Sequence, residues 1–149
     1  MKRLVLVVMA AVVFGSPVLA RPQSVLAEAQ EFMAGYARDI VRGDRSALSS
    51  RYDPGGAFVR NGGGREFAPH GRIVEDYQKQ WKPPSTFGWR DLHFDAAGRN
   101  AVVVNGRFVW SGANGMQTFT YIGFLRRRRG KLTIRLEDET LVSATSLQP

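Results

Sequence analysis

"MQTFTYIGFLRRRRGKLTIRLEDETLV", residues 116–142, decides the fold. Apolar and polar side chains alternate along both of its halves, and a period of two is the pattern of a β-strand with one face in a core. Arg127 to Gly130 fall between the halves, and Gly130 marks the turn, so the stretch predicts two antiparallel strands joined by a basic turn. Moving towards the N-terminus, "AVVVNGRFVW" (101–110) and "FGWRDLHFD" (87–95) continue the same period, separated by the turn sequences "SGANG" and "AAGRN". Four consecutive strands form a meander. In "AVVV" both alternating faces are apolar, which a sheet wetted on one side does not need. One face is expected under helices. The other is expected against a second subunit or the closing edge of the sheet, with a homodimer preferred.

Upstream of Phe87 the period lengthens. Val25, Ala29, Phe32, Met33, Tyr36, Ala37, Ile40 and Val41 recur at spacings of three and four, and Glu28, Glu31, Arg38, Asp39 and Arg42 occupy the opposite side. This is an amphipathic helix, ended by Gly43. Asp44 can cap a short second helix, "RSALSSRY", before the turn "DPGG". "AFVR" and "REFA" flank the glycine-rich "NGGG" and predict a small hairpin. A third helix carries Ile73, Tyr77 and Trp81 four residues apart on one face, and "KPP" at 82–84 stops it. Three helices followed by strands define an α+β class, with the helices on one face of a strongly curved antiparallel sheet.

The chain begins with Lys2 and Arg3, an apolar run "LVLVVMAAVVF" (4–14), the helix-breaking Gly15, Ser16 and Pro17, and "VLA" at 18–20. A basic head, a short apolar middle and small terminal residues predict a signal peptide over 1–20, cut after Ala20. The core is shorter than the roughly 20 apolar residues of a membrane span, and an uncleaved anchor is the alternative. Residues 21–24 read as a leader and 25–149 as one domain. Cleavage would leave 129 of the 149 residues, enough chain for a core, and would lower the formal net charge from +8 to +6 by removing Lys2 and Arg3. The expected location is periplasmic or secreted. The chain has no cysteine, so packing and not disulfides must hold it together.

The order of a long helix, a short helix, a hairpin, a third helix in "HGRIVEDYQKQW" and four strands ending in "IRLEDETLV" resembles the nuclear transport factor 2-like superfamily, in its SnoaL-like and ketosteroid isomerase-like branches. The likeness covers residues 25 to about 142. It implies a cystatin-like cone enclosing an apolar pocket open at one end. Members include isomerases, dehydratases, cyclases and hydrolases as well as domains that only bind or assemble, so fold does not set function.

Several residues are candidates for chemistry. His70, just before the third helix, could relay a proton at the cone mouth or be a solvated loop histidine. The resemblance implies for Tyr36, on the apolar face of the first helix, a hydrogen bond to a substrate oxyanion; otherwise it is core. Asp53 lies near the position where the isomerase branch carries a carboxylate base, yet it precedes Pro54, Gly55 and Gly56, which is ordinary turn chemistry. In "LEDE", period two places Asp138 on the face of Leu132, Ile134 and Leu136, and Glu137 and Glu139 on the other, so Asp138 is expected to be the inward carboxylate or else a polar strand end in water. Trp89, Trp110, Phe119 and Tyr121 are expected to line a ligand cavity or simply to fill a core.

The two histidines have no metal-ligand spacing, and neither a G-x-S-x-G elbow nor a phosphate-binding loop occurs. No metal or organic cofactor is called for. Arg126 to Arg129 are expected to be solvated at a sheet end, with a peripheral contact to an anionic membrane surface as a second possibility and nucleic acid excluded for want of a reading helix or placed aromatics. The sequence thus points to an exported domain that binds a small, largely apolar ligand. The alternatives are a cofactor-independent isomerase or dehydratase using Asp53, His70 and Tyr36, and a dimerisation module without chemistry.

Overall fold

The computed structural model describes residues 24–61, 64–113 and 115–145. The expected signal peptide lies outside the described residues, as does all of the leader except Ser24. The elements are α1 (Val25–Arg42), α2 (Arg45–Ser50), β1 (Ala57–Asn61), β2 (Gly64–Ala68), α3 (His70–Lys79), β3 (Thr86–Ala96), β4 (Ala101–Gly112), β5 (Gly115–Arg128) and β6 (Lys131–Thr145). Six strands form one curved, open sheet in the order β2-β1-β6-β5-β4-β3.

Local chemistry sets the helix ends. The Ser24 hydroxyl accepts the Ala27 N–H at 3.2 Å, one of the otherwise unpaired donors at the start of α1. Gly43 closes α1 in the left-handed region (φ 67°), where a side chain would be strained. Asp44 then caps α2 by accepting the Ala47 N–H at 2.9 Å. The capping residues Gly43 and Asp44 are those the sequence singles out.

The strands pair as the meander requires, except at one edge. β3–β4, β4–β5 and β5–β6 are antiparallel, as is β1–β2. β1, however, lies parallel to β6, with Phe58 beside Leu136 and Val59 beside Glu137. The sheet is therefore mixed, not wholly antiparallel. The chain leaving α2 already runs along β6: Asp53 N–H donates to the Ile134 carbonyl (2.9 Å), and Ile134 N–H to the Arg51 carbonyl (2.8 Å). β1 continues in that direction, so it has no freedom to reverse.

The concave face of the sheet meets the helices. Ala29, Met33, Tyr36 and Ile40 of α1 and Val102, Val104 and Phe108 of β4 are all buried in one cluster with Tyr121, Leu125 and Ile134. Trp89 of β3 packs on Tyr36, Phe108 and Tyr121, and its indole N–H donates to the Met33 carbonyl at 3.0 Å. Burying one such side chain is worth about 1.5–3 kcal/mol, so this layer is the main source of stability in a domain without disulfides.

Three irregularities shape the sheet, one of them an extra residue, Val142, between the Thr118–Ser143 and Phe119–Leu141 pairs of β5 and β6. Between Arg90 and His93 the β3–β4 register slips, and Asp91 takes φ 49°. In β6, Leu125 pairs with Ile134 and Phe124 with Leu136, which leaves Arg135 as an extra residue. A bulge of this kind bends the strand and reverses its alternation.

Candidate functional site

The bulge at Arg135 decides which carboxylates enter the cone. Before it, Leu132 and Ile134 point into the core. Beyond it the alternation is shifted by one, so Glu137 and Glu139 line the interior cavity. Asp138 faces the other side of the sheet, where its carboxylate pairs with Arg60 Nε at 3.1 Å and with Arg65. The expected inward carboxylate is thus corrected from Asp138 to Glu137, and the cause is one inserted residue ahead of them in the strand.

The cavity has a volume of about 350 Å³. Its apolar wall comes from Ile40, Val59, Ile73, Phe87, Phe108 and Trp110. Ile73 and Tyr77 of α3 border it, as does Trp81, which lies past the helix end at Lys79 and not on the helix as its spacing suggested. Asp76, Gln80 and Arg60, each exposed or half-exposed, belong to its rim, as does the exposed Glu139.

At its floor Glu137, only 6% exposed, sits among tyrosines. Tyr36 from α1 donates to Glu137 Oε1 at 3.2 Å, and Tyr52, which follows α2, donates to Oε2. Tyr77 from α3 lies 3.2 Å from the Tyr36 oxygen and 3.1 Å from that of Tyr52. Tyr36 and Tyr52 are themselves 3.3 Å apart. Helices and sheet therefore meet at one carboxylate. The fourth and last tyrosine of the chain, Tyr121 on β5, is fully buried nearby, and its hydroxyl has no hydrogen-bond partner among the described residues.

Burial raises the Glu137 pKa, and the hydrogen bonds from Tyr52 and Tyr36, with the nearby Tyr121 hydroxyl, oppose but do not cancel it. The Tyr121 hydroxyl is near enough for Glu137 to act on its charge state without making a hydrogen bond among the described residues. The Glu139 carboxyl is raised as well, by the protein packed around it and then by the like charges of Glu137 and Asp138, but its exposure at the rim lets water screen much of this. All four tyrosines are raised above the ordinary value of 10.0, in each case first by burial and then by the negative charge of Glu137. A phenol with a raised folded pKa contributes stability that is complete below the unfolded value and is lost as pH rises towards the folded one. Tyrosinate absorbance is therefore expected to stay absent through the normal range near 10 and to appear in one cooperative step with unfolding. Four independent, gradual ionisations in the folded protein would contradict this.

Tyr121 fits because Gly123 has no side chain. A Cβ there would lie 2.7 Å from the Tyr121 Oη, 2.8 Å from Cε1 and 3.0 Å from Cζ. Gly123 is paired with Glu137 across the β5–β6 ladder. Gly123→Ala is expected to push the ring aside and cost about 1–2 kcal/mol, read from urea denaturation. Wild-type stability in this variant would contradict the packing.

The other sequence candidates, Trp110 excepted, lie outside the cavity lining. Asp53 is fully buried beneath the cone: its Oδ1 accepts the Gly55 N–H at 2.8 Å, and its Oδ2 accepts Arg126 Nη2 at 2.7 Å, with Arg128 Nε 3.8 Å away. Burial alone would raise its pKa, but the Arg126 hydrogen bond, the Gly55 N–H and the two arginine charges bring it below 3.8. The turn chemistry foreseen for Asp53 is present, and a base in the cavity is not. His70 opens α3 and makes no side-chain hydrogen bond or ion pair among the described residues. Of the four aromatic candidates only Trp110 lines the cavity. Trp89 and Tyr121 form the layer behind it, and Phe119 stacks on Phe108 with ring planes 10° apart.

The arginine run is also more engaged than a solvated turn. Arg126 and Arg128 hold Asp53, and Arg127 pairs with Glu28 of α1 at 2.6 Å. Only Arg129 and Gly130 make the turn itself. The run thus pins the sheet's narrow end to α1 and to the loop after α2. Among the described residues no three His, Cys, Asp or Glu side chains converge on a metal-sized point.

No model of a known protein family matches the chain, and no curated protein sequence matches it. Solved structures do. An NTF-2-like protein of unknown function from Shewanella oneidensis is 14% identical, with a TM-score of 0.67 over 75% of this chain and 95% of that one. A hexachlorocyclohexane dehydrochlorinase, LinA-type3, from Novosphingobium barchaimii is 15% identical, with a TM-score of 0.65 over 81% of this chain and 88% of that one. A protein of unknown function from Pectobacterium atrosepticum is 12% identical, with a TM-score of 0.65 over 80% and 91%. The chain has the nuclear transport factor 2-like fold. At these identities the likeness speaks for the fold alone.

Proposed function

We propose that this protein binds a small, largely apolar molecule with one polar head group, held against Glu137 and the hydroxyls of Tyr36, Tyr52 and Tyr77. The observation that carries the reading is a cavity of about 350 Å³ with an aromatic and aliphatic wall and a buried, hydrogen-bonded polar floor. That is the usual make-up of a small-molecule site: apolar area for affinity, a few fixed polar groups for orientation. The test is thermal unfolding against a panel of small apolar molecules. A ligand at a hundredfold excess over its Kd adds about 2.7 kcal/mol of stability. Absence of any stabilised case, or stabilisation unaffected by Trp110→Ala and Tyr77→Ala, would sink the reading.

A second reading is proton transfer of isomerase or dehydratase type. It is favoured by one observation: the Glu137 carboxyl is held above its usual range in an apolar cavity, which is how a protein tunes a base towards neutral pH. Glu137 would take the role assigned from sequence to Asp53 or His70, and the tyrosines would position it. Turnover of a carbonyl compound with an acidic α-hydrogen, lost in folded Glu137→Gln, would separate this reading from binding alone.

Export and self-association belong to the same reading. The apolar segment 4–14 supports a periplasmic or secreted location, checked by the N-terminal residue of the mature protein. On the outer sheet face Phe58, Phe67 and Ile122 are 41%, 43% and 46% exposed, and they support a homodimer in which that face is covered. Sedimentation of wild type and Ile122→Asp at equal concentration tests it; a monomer in both removes the dimer.

A further inference from the structure

We propose that the head group this cavity takes is a protonated amine, so that the ligand is a small organic cation with an apolar body. The inference rests on the binding reading above and narrows it to a charge class.

Proton accounting at the floor carries the argument. Each tyrosine hydroxyl has one proton to give. Tyr36 and Tyr52 spend theirs on Glu137. Within the cluster the Tyr77 hydroxyl has the Tyr36 and Tyr52 oxygens in reach. With Glu137 ionised, the Tyr36 and Tyr52 protons are not free for a ligand, and the unpaired Tyr121 hydroxyl is not part of the cavity lining. The cluster keeps acceptors: a second lone pair on each Glu137 oxygen, and the lone pairs of Tyr77. A ligand carboxylate would meet the like charge of Glu137 there, and a carbonyl would have to compete with Tyr36 and Tyr52 for the Tyr77 proton. An ammonium group, with up to three N–H donors and no acceptor, complements these acceptors.

Charge and aromatic surface agree. The chain has 21 basic and 13 acidic residues, yet the cavity is lined by Asp76, Glu137 and Glu139 against a single cation, Arg60. The Arg60 guanidinium is turned to Asp138 and to the Thr140 hydroxyl, 3.1 and 3.3 Å away, on the far side of the sheet. Asp76 is partly answered by Arg72 at 3.7 Å. Glu137 and Glu139 have no basic partner among the described residues. Tyr77, Trp81 and Trp110 border the same space, and aromatic rings can attract cations. A basic protein that gathers unpaired carboxylates and aromatic rings in one hollow has a receptacle for positive charge.

The charge state of Glu137 then links binding to pH. The groups facing it are Tyr36 from α1, Tyr52 after α2, Tyr77 from α3, Tyr121 from β5 and Glu139 from β6 itself; Val59 of β1 brings no charge. Burial favours the protonated carboxyl, and an incoming ammonium favours the anion. Binding should therefore release a proton and strengthen as pH rises through the raised carboxyl range, because less work is needed to remove that proton.

Tryptamine, tryptophol and indole-3-propionate share an indole and differ in carrying a cationic, neutral or anionic tail. Isothermal titration of the full chain with each is expected to show tryptamine at least about tenfold tighter than tryptophol, and indole-3-propionate weakest. The tryptamine advantage should grow from acid to mildly alkaline pH, while tryptophol stays level. Glu137→Gln should abolish the advantage. Glu139→Gln, at the exposed rim, should reduce it and serves where the first variant does not fold. Equal binding of tryptamine and tryptophol, or a preference for indole-3-propionate, overturns the cationic head group and leaves the apolar site standing. Binding of none of the three at millimolar concentration also overturns it; if the wider panel of apolar molecules fails to stabilise the protein as well, the binding reading falls with it.

Discussion

Asp53→Ala is expected to cost about 2–3 kcal/mol of folding stability, less than the 3–5 typical for breaking a buried ion pair, because Arg126 keeps 39% of its side chain in solvent. The substitution removes the acceptor of the Gly55 N–H and the anchor of Arg126 and Arg128 together. It also leaves the Arg126 side chain without its counter-charge, at a place where its Nε is already buried and unpaired. The pH dependence has a definite sign. A carboxyl whose folded pKa lies below 3.8 contributes stability that is complete above that value and is lost as pH falls through the lower, folded one. The difference between wild type and Asp53→Ala should therefore shrink in strong acid. Urea unfolding at several pH values measures it. Small-molecule affinity should be unchanged, since Asp53 does not line the cavity; a variant of normal stability that had lost binding would reverse the assignment of this residue from structural lock to site.

Glu137→Gln is expected to do the opposite to stability. Glutamine keeps the shape and one acceptor oxygen of the glutamate, and a tyrosine hydroxyl can turn to accept from its amide. It removes a carboxylate that must ionise in a dry place. A carboxyl with a raised folded pKa contributes stability that is present below the unfolded value of 4.5 and is lost as pH rises through the folded one. The variant should melt with wild type in mild acid and above it at alkaline pH. Relief of Glu139, whose pKa Glu137 also raises, acts in the same direction. The gain in stability should accompany a loss of about 1.4 kcal/mol or more of binding free energy for a cationic ligand, the equivalent of the tenfold preference. A site that weakens its own fold to hold a buried carboxylate is the usual mark of function over stability. If the variant were less stable than wild type at every pH, the tyrosines would be holding the anion as a structural ion, and both the cation site and the proton-transfer reading would lose their basis.

Much of this architecture is legible in one dimension. Period-two alternation from Phe87 onward, helical spacing before it, Gly43 and Asp44 between two helices, and "KPP" after the third locate nearly every element. These signals are local: each reports how a few neighbouring residues fill dihedral space and divide between water and core. The same holds for the turn role of Asp53 and for the shared face of Ile73 and Tyr77.

The identity of the inward carboxylate is of another kind. Alternation read along "KLTIRLEDETLV" sends Asp138 inward, and it would do so if the strand were regular. The extra residue is Arg135, which is neither glycine nor proline and carries no turn signal. Arg135 sits over the Phe58 and Phe67 rings, 5.5 and 5.1 Å from their centres, and donates to the Gly56 carbonyl, contacts that come from β1, β2 and the loop before them. Likewise nothing about Tyr36, Tyr52, Tyr77 and Tyr121, spread over 86 positions from first to last, says that they surround one glutamate. By itself the chain determined its elements, its fold class and the apolar faces that meet. Which carboxylate enters the hollow, what holds it there and where three of the four arginines anchor were decided only by the tertiary structure, because a single unpaired residue reverses a strand's faces and only packing against distant strands determines where that residue falls.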